Sequence, residues 1–326
     1  MPVGTDIICM TVIANPRLLA ISPLPPDLFA VLKDKYGITD YTTLGGAPGK
    51  PVPAPDFDIA VTMGVYGIDA ALMDVMPDLK LVACNGAGLE KIDLAQARAR
   101  GIAVCHTPDE LAEDVADGAI ALTYAIMRRV VEMDRFVRSG QWLKGRPTPS
   151  RRLAGKTMGV VGLGRIGRRI ADRATAIGMT AAYYGRKAQP GVPYEFVGDV
   201  GALAEKSDVL ALACPGGKET QHLVNGDVLA KLGAGGYLVN VARGSVVDEA
   251  ALLDALENKK IAGAALDVFA SEPSIDARFL PLENVVLQPH NASITHETRT
   301  AMVARILSDI DAFLNGRKFH DAAKAS

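Results

Sequence analysis

Met158-Gly159-Val160-Val161-Gly162-Leu163-Gly164-Arg165-Ile166-Gly167 decides how the second half of this chain folds. Met158 to Val161 is a short apolar run of the kind that forms a strand buried on both faces. It passes directly into three glycines spaced G-x-G-x-x-G, and a helical pattern follows from Arg168 to Ile177, stopped by Gly178. Glycine is common in turns, so the triplet alone is weak evidence; here strand, turn and helix come in the required order. The first glycine permits the tight turn, the second lets a pyrophosphate approach the backbone, and the third lets helix and strand pack closely. The helix N-terminus then presents unpaired N–H groups and the positive end of its dipole to phosphate.

Outward from this loop, β-rich runs alternate with helical patterns, which implies parallel sheets with helices on their faces. Before it, Ile7–Ile13 reads as a strand, Asp27–Tyr36 as a helix entered through Pro25-Pro26 and stopped by Gly37, and Asp58–Met63 and Leu79–Cys84 as strands. Lys91–Arg100 reads as a helix ended by Gly101, and Ile102–Cys105 as a further strand. Asp109 to Ser139 is helical in pattern, without proline and interrupted only by Gly118, and its length suits a bridge between domains. A loop by composition follows, Gly145 to Ser150, then a second alternating series from Thr157 to Leu287 and a last helical pattern from Thr295 to Asn315. The reading is α/β, two doubly wound parallel-sheet domains with one inserted into the other. The dinucleotide-binding domain is expected over 106–291, and the substrate-binding (catalytic) domain over 1–105 and 292–326.

A length of 326 residues fits about two domains at the usual ~150 per domain, and 49% hydrophobic residues supply two cores. The formal net charge of −2, without a basic run, gives no case for nucleic acid. Cys9, Cys84, Cys105 and Cys214 are widely spaced and form no C-x-x-C pair, which suggests buried thiols in a reducing compartment. No metal is expected: His106, His222, His296 and His320 show no ligand-like spacing. The apolar run Ile7 to Ala14 is too short to span a bilayer and lacks a basic leader, so neither a membrane partner nor a signal peptide is expected. The expectation is a cytoplasmic protein, in which the Asn291-Ala292-Ser293 sequon is a chance match.

The strand after the glycine helix, Thr180 to Tyr184, ends in Gly185-Arg186-Lys187. Gly185 lies 21 residues after Gly164, where an acidic residue would bind the ribose of NAD. Glycine there removes the repulsion that a 2′-phosphate would meet, and Arg186 with Lys187 can pair with it. A charged hydrogen bond contributes roughly 1.5–3 kcal/mol, or about 10–150-fold in affinity. That is enough to set a preference for NADPH, with NADH still usable.

Three further strand ends carry Arg243, Glu272 and His290. Ligands of open α/β sheets bind outside the carboxyl ends of strands, so all three can converge on one crevice. A fixed cation, a carboxylate and an imidazole are what is needed to hold a keto acid and protonate its carbonyl. His290 suits the acid, since histidine titrates near ~6.5 when unperturbed. A carboxylate partner, Glu272, favours imidazolium and orients it. The planar fork of Arg243 suits a carboxylate in a way that lysine does not. Read singly, each has an ordinary structural explanation in a loop or turn; together and in order they point to chemistry.

With these residues in view, the chain resembles the D-isomer-specific 2-hydroxyacid dehydrogenases, and within them the glyoxylate/hydroxypyruvate reductases. The resemblance covers nearly the whole chain and is strongest from Gly155 to Arg299, through Cys214-Pro215 with Glu219-Thr220, Leu238 to Asp248, Gly263 to Pro273 and Pro289 to Ser293. Tyr184-Gly185-Arg186 is similar to the NADPH-using branch. The resemblance implies a Rossmann cofactor domain inserted into a flavodoxin-like domain, and a homodimer built around the long helix near 109–139. It implies reduction of a small 2-keto acid to a D-2-hydroxy acid with His290 as general acid, Glu272 as its partner and Arg243 on the substrate. It also implies cofactor contacts at Gly162, Gly164, Arg165, Ile166, Gly167, Cys214, Pro215, Thr220, Val241, Ala242 and Asp267, the last toward the nicotinamide carboxamide. Asn85, Gly86, Ala87 and Gly88 follow a strand, and their backbone N–H groups can grip the substrate carboxylate, as the family uses this loop. Tyr66, in Met63-Gly64-Val65-Tyr66, either shapes the substrate pocket or belongs to an ordinary turn. Trp142 either reaches a partner's active site or packs at the interface. Phosphoglycerate and D-lactate dehydrogenases, which usually carry an acid where Gly185 stands, are alternatives, as is a cofactor-sensing binding protein on the same fold. Formate dehydrogenase fits less well, since it has glutamine where Glu272 stands.

Overall fold

A computed structural model of the chain describes residues 13, 15–48, 50, 54 and 56–323. They fall into two compact units, Met1–Leu111 with Thr295–Ser326, and Ala112–Ile294. In chain order the first unit begins with β1 (Leu18–Ala20), α1 (Pro26–Tyr36), β2 (Thr39–Asp40), β3 (Ile59–Met63), α2 (Ala70–Asp74), β4 (Leu81–Asn85), α3 (Leu94–Ala99) and β5 (Ala103–His106). The second contains α4 (Ala112–Met127), α5 (Val130–Arg138), β6 (Thr157–Val161), α6 (Arg165–Ala176), β7 (Thr180–Tyr184), β8 (Glu195–Phe196) and α7 (Val200–Glu205). It continues with β9 (Val209–Leu212), α8 (Gly226–Leu232), β10 (Tyr237–Asn240), α9 (Glu249–Glu257), β11 (Gly263–Leu266) and β12 (Val285–Leu287), and α10 (His296–Leu314) returns to the first unit.

The first unit is a parallel sheet in the order β2-β1-β3-β4-β5. Successive residues of a strand face opposite sides, and both sides are apolar, as a parallel sheet covered by helices requires. Leu18, Ile59, Val61 and Leu81 pack with Leu28 and Leu32 of α1 and with Ile306, Ile310 and Phe313 of α10. Leu19, Ala60 and Val82 pack on the other side with Met73, Met76 and Ile102. α1 starts at Pro26, whose missing N–H would have no partner in the first turn anyway, and stops at Gly37, left-handed at φ 67°. The strand expected over Ile7–Ile13 lies outside the described residues apart from Ile13, as does Cys9. The first described strand, β1, was not foreseen.

The second unit is a seven-stranded parallel sheet in the order β12-β11-β10-β9-β6-β7-β8. Growth of the sheet reverses between β6 and β9, which is the switch point where doubly wound sheets bind ligands. One face of this sheet is packed by Leu203, Leu210, Leu212, Leu229, Leu253 and Leu256. The glycine-loop helix starts three residues earlier than its apolar pattern suggested, at Arg165 instead of Arg168.

The helix expected to run unbroken over Asp109–Ser139 is two helices. Arg129 takes a left-handed conformation, φ 55°, and starts α5. The break is held from outside the helix: Arg151 donates its amide to the Met127 carbonyl at 3.0 Å, and the Arg129 guanidinium reaches Glu132 and the Thr148 carbonyl. An incoming strand of chain thus takes the carbonyl that the next helical turn would have used. Gly118, the interruption in the pattern, sits where α4 meets the turn after His290: a Cβ there would stand 3.0 Å from the Ala292 Cβ. Among the described residues no helix is long and apolar enough to cross a membrane.

Candidate active site

Arg243, Glu272 and His290 leave the carboxyl ends of β10, β11 and β12, three adjacent strands of one sheet. Asn240, buried at the end of β10, shapes the first exit. Its side chain accepts the Ala242 amide at 3.0 Å and donates to the Arg243 carbonyl at 3.1 Å. Gly244 follows because the β11 exit lies against it; a Cβ there would meet the Phe269 carbonyl carbon at 1.9 Å.

Asp267 organises the other two exits. Its carbonyl accepts the His290 amide at 2.8 Å, and its carboxylate accepts the amides of Asn291 at 2.8 Å and Ala292 at 3.2 Å. These bonds hold His290 in the left-handed region, φ 53°, where a side chain with a Cβ rarely sits and where functional residues concentrate. The imidazole Nδ1 meets Glu272 Oε2 at 2.7 Å, and Glu272 Oε1 accepts the Phe269 amide at 2.8 Å. Both side chains are about a third exposed. Among the described residues His290 Nε2 has no hydrogen-bond partner.

The two carboxylates are pushed in opposite directions. Burial drives the Asp267 carboxyl up, and the Asn291 and Ala292 amides with the His290 ring offset this only in part. Burial also drives Glu272 up, but the His290 hydrogen bond, the Phe269 amide and the charges of His290 and Arg243 outweigh it. Glu272 therefore stays below the usual glutamate range.

On the same sheet, the glycine loop leaves β6. Gly162 has φ 94° and stands so close to Cys214 that a Cβ would lie 2.7 Å from its Cα. A Cβ at Gly167 would meet the Gly162 carbonyl oxygen at 1.9 Å, so helix and strand can approach only with glycine there. Gly164, by contrast, has nothing within 4 Å of that position, and the first turn of α6 with Arg165 and Ile166 opens beyond it. Amides of a first helical turn have no acceptor within the helix. Gly185, past β7, is equally open, its nearest atom being the Lys187 carbonyl oxygen at 3.9 Å. Arg186 and Lys187 are exposed and form no ion pair with the described residues. Cys214, Pro215 and Thr220 follow β9, with the Thr220 hydroxyl donating to the Pro215 carbonyl at 2.7 Å, and Val241 and Ala242 follow β10. Burial lifts the Cys214 thiol to about 11, which keeps it protonated and inert.

Asn85, the last residue of β4, with Gly86, Ala87 and Gly88 after it and Tyr66 past the end of β3, belong to the first unit. The Ala87 and Gly88 amides donate to no described group. Asn85 is 5% exposed, and its Oδ1 is buried without a hydrogen-bond partner among the described residues. Tyr66 is exposed, as is Trp142 in the turn after α5. Sequence reasoning passed over Asn240, although a polar residue inside the apolar run Leu238 to Ala242 was a visible signal. Among the described residues no cluster of His, Cys, Asp and Glu could hold a metal ion.

Residues 120–292 match the family described as D-isomer specific 2-hydroxyacid dehydrogenase, NAD binding domain. The chain is 42% identical over 304 residues to 2-ketogluconate reductase of Gluconobacter oxydans, covering 93% of this chain and 97% of that one. It is 45% identical over 251 residues to glyoxylate/hydroxypyruvate reductase A of Arabidopsis thaliana, covering 77% and 80%. Among solved structures, the NADPH-dependent glyoxylate/hydroxypyruvate reductase of Sinorhizobium meliloti in complex with NADP and malonate matches with a TM-score of 0.89 at 37% identity, covering 96% and 98%.

The downward shift of Glu272 has a definite sign. Its contribution to stability is present above the ordinary glutamate value, ~4.3, and is lost as pH falls through its lower folded value. His290→Ala removes two of the contributions that oppose burial, so Glu272 should titrate at a higher pH than in the parent chain. Carbon-13 NMR of labelled glutamate measures this, and an unchanged titration would show that the pair does not hold the carboxylate.

Proposed function

Since this chain belongs to the D-isomer-specific 2-hydroxyacid dehydrogenase family, with its two parallel-sheet α/β domains and a nicotinamide-dependent activity, we propose that it reduces small 2-keto acids of the glyoxylate and hydroxypyruvate type to D-2-hydroxy acids. The observation that carries this reading is the 2.7 Å bond between His290 Nδ1 and Glu272, with the Arg243 charge acting on the same carboxylate. Glu272 occupies one ring nitrogen, so Nε2 is the one that holds a proton for the substrate oxygen. Glu272 fixes the plane of the ring through this bond. General acid catalysis of this sort supplies about 10²–10⁴-fold. Arg243 binds the substrate and polarises its carbonyl.

The glycine loop suits a dinucleotide, because Gly164 leaves open space before the first-turn amides of Arg165, Ile166 and Gly167. Cys214, Pro215, Thr220, Val241 and Ala242 are assigned to the cofactor, and Asp267 to its carboxamide as well as to the turn it already holds. The bound nicotinamide supplies the hydride. NADPH is the preferred donor in this reading, because Gly185 leaves room and Arg186 and Lys187, without an ion pair among the described residues, carry charge for a 2′-phosphate. The Ala87 and Gly88 amides are assigned to the substrate carboxylate, with Asn85, Gly86 and Tyr66 around it. A homodimer through α4 and α5 is part of the proposal: α5 buries none of its side chains, and Val130, Val137, Trp142 and Leu143 are exposed.

Initial rates with a panel of 2-keto acids test the activity directly. His290→Ala should lower turnover by about 10²-fold or more while NADPH still binds; intact turnover would refute the assignment. Arg186→Asp should move the preference from NADPH toward NADH by about 10-fold or more. Equal ratios of kcat/KM for the two cofactors before and after the change would remove the argument for NADPH. Sedimentation should show a dimer that Val137→Asp dissociates, and a monomeric parent chain would end that part of the proposal.

A further inference from the structure

The loop after β4 holds two amides, of Ala87 and Gly88, that are unpaired among the described residues. A peptide unit is planar and trans, so the carbonyl of one residue and the amide of the next point in opposite directions across one rigid plate. Whatever grips the carbonyl behind the plate sets the direction of the N–H in front. Behind this loop lies the end of β5. The Gly86 carbonyl accepts the Thr107 amide at 3.0 Å, and the Gly86 amide donates to the Thr107 hydroxyl, also at 3.0 Å. Thr107 is fully buried, and its grip fixes the plate that carries the Ala87 N–H.

The next plate is held by a side chain. His106 Nδ1 lies 3.0 Å from the Ala87 carbonyl oxygen. A carbonyl can only accept, so Nδ1 must carry the proton, which settles the tautomer. This bond fixes the plate whose far side is the Gly88 N–H, and a hydrogen bond to a carbonyl polarises the amide beyond it into a better donor. The ring itself is held in place by stacking on His320, with centroids 5.8 Å apart and planes 29° apart. Two successive amides are thus aimed from behind by two successive residues, one through backbone and hydroxyl, the other through an imidazole.

We propose that His106 is a positioning residue for substrate: by holding the Ala87 carbonyl it aims the Gly88 N–H at the substrate carboxylate. This rests on the reading that the loop binds that carboxylate. His106 touches no reacting atom, so its removal should weaken substrate binding and leave the chemical step and the cofactor site alone.

Two substitutions in the full-length chain separate this role from plain packing. His106→Phe keeps a ring to stack on His320 but has no donor; His106→Asn loses the ring but carries an N–H at the position of Nδ1. Steady-state kinetics with glyoxylate and NADPH should show the Phe variant with KM raised about 3- to 10-fold, the scale of one net hydrogen bond, at unchanged kcat and NADPH affinity. The Asn variant should return KM to near the parent value. An unchanged KM in the Phe variant, or a raised KM in the Asn variant, overturns the proposal. So does a loss of kcat and NADPH affinity together, which marks general disruption. If the Phe variant does not fold, His106→Leu takes its place with the same expectation. A parent chain that reduces no 2-keto acid overturns the functional reading and this inference with it. A parent that turns over normally, with the Phe variant unchanged, overturns this inference alone.

Discussion

Parallel strand direction is the constraint from which the rest follows. In a sheet whose strands all run one way, every connection must return across a face, so helices cover both faces and the strands become apolar on both sides. Polar chemistry has no place inside such a sheet and is confined to the exits. All exits at the carboxyl ends lie along one edge. In the second unit that edge carries the glycine turn after β6, Gly185 after β7, Cys214 after β9, Arg243 after β10, Asp267 and Glu272 after β11, and His290 after β12. Residues far apart in the chain are brought to one edge by direction alone, before any side chain makes a specific contact.

Asp267 and Glu272, five residues apart in one loop, show how the exits divide their work. Asp267 is almost fully buried, and its carboxylate accepts two backbone amides of the following turn. Glu272 is partly exposed and faces an imidazole and a guanidinium charge. Burial raises both, but only at Glu272 do the charged neighbours prevail. One carboxylate builds the turn that holds His290 in its left-handed conformation; the other stays charged beside the ring. The imidazole is therefore fixed at both ends, through its backbone by Asp267 and through its side chain by Glu272.

Features that depend on local chemistry were legible in the sequence. The glycine spacing, the strand ends bearing Arg243, Glu272 and His290, and the pairing of Glu272 with His290 all follow from residue type and position relative to an apolar run. Features decided by contact with a distant segment were not legible. Arg129 breaks the long helix because Arg151 takes the Met127 carbonyl, and nothing in Met127-Arg128-Arg129-Val130 announces that. Likewise the spacing of His106 carries no signal, because its partner is a backbone carbonyl 19 positions earlier. β1 is illegible for a related reason: three residues carry almost no periodicity, and pairing with β2 and β3 on either side makes them a strand.

The glycines differ in how much change each could bear. At Gly162, Gly167 and Gly244 an added methyl would collide with backbone, so the fold itself forbids it. At Gly185 the nearest atom to such a methyl is 3.9 Å away, an ordinary van der Waals distance. The fold therefore imposes no steric penalty on a Cβ at that position. The proposed determinant of cofactor preference thus sits at a position where a Cβ meets no clash, whereas the glycine turn after β6 is locked by packing. On this scaffold the proposed choice between a phosphorylated and an unphosphorylated dinucleotide could therefore be altered at Gly185 without touching the packing that fixes the turn after β6.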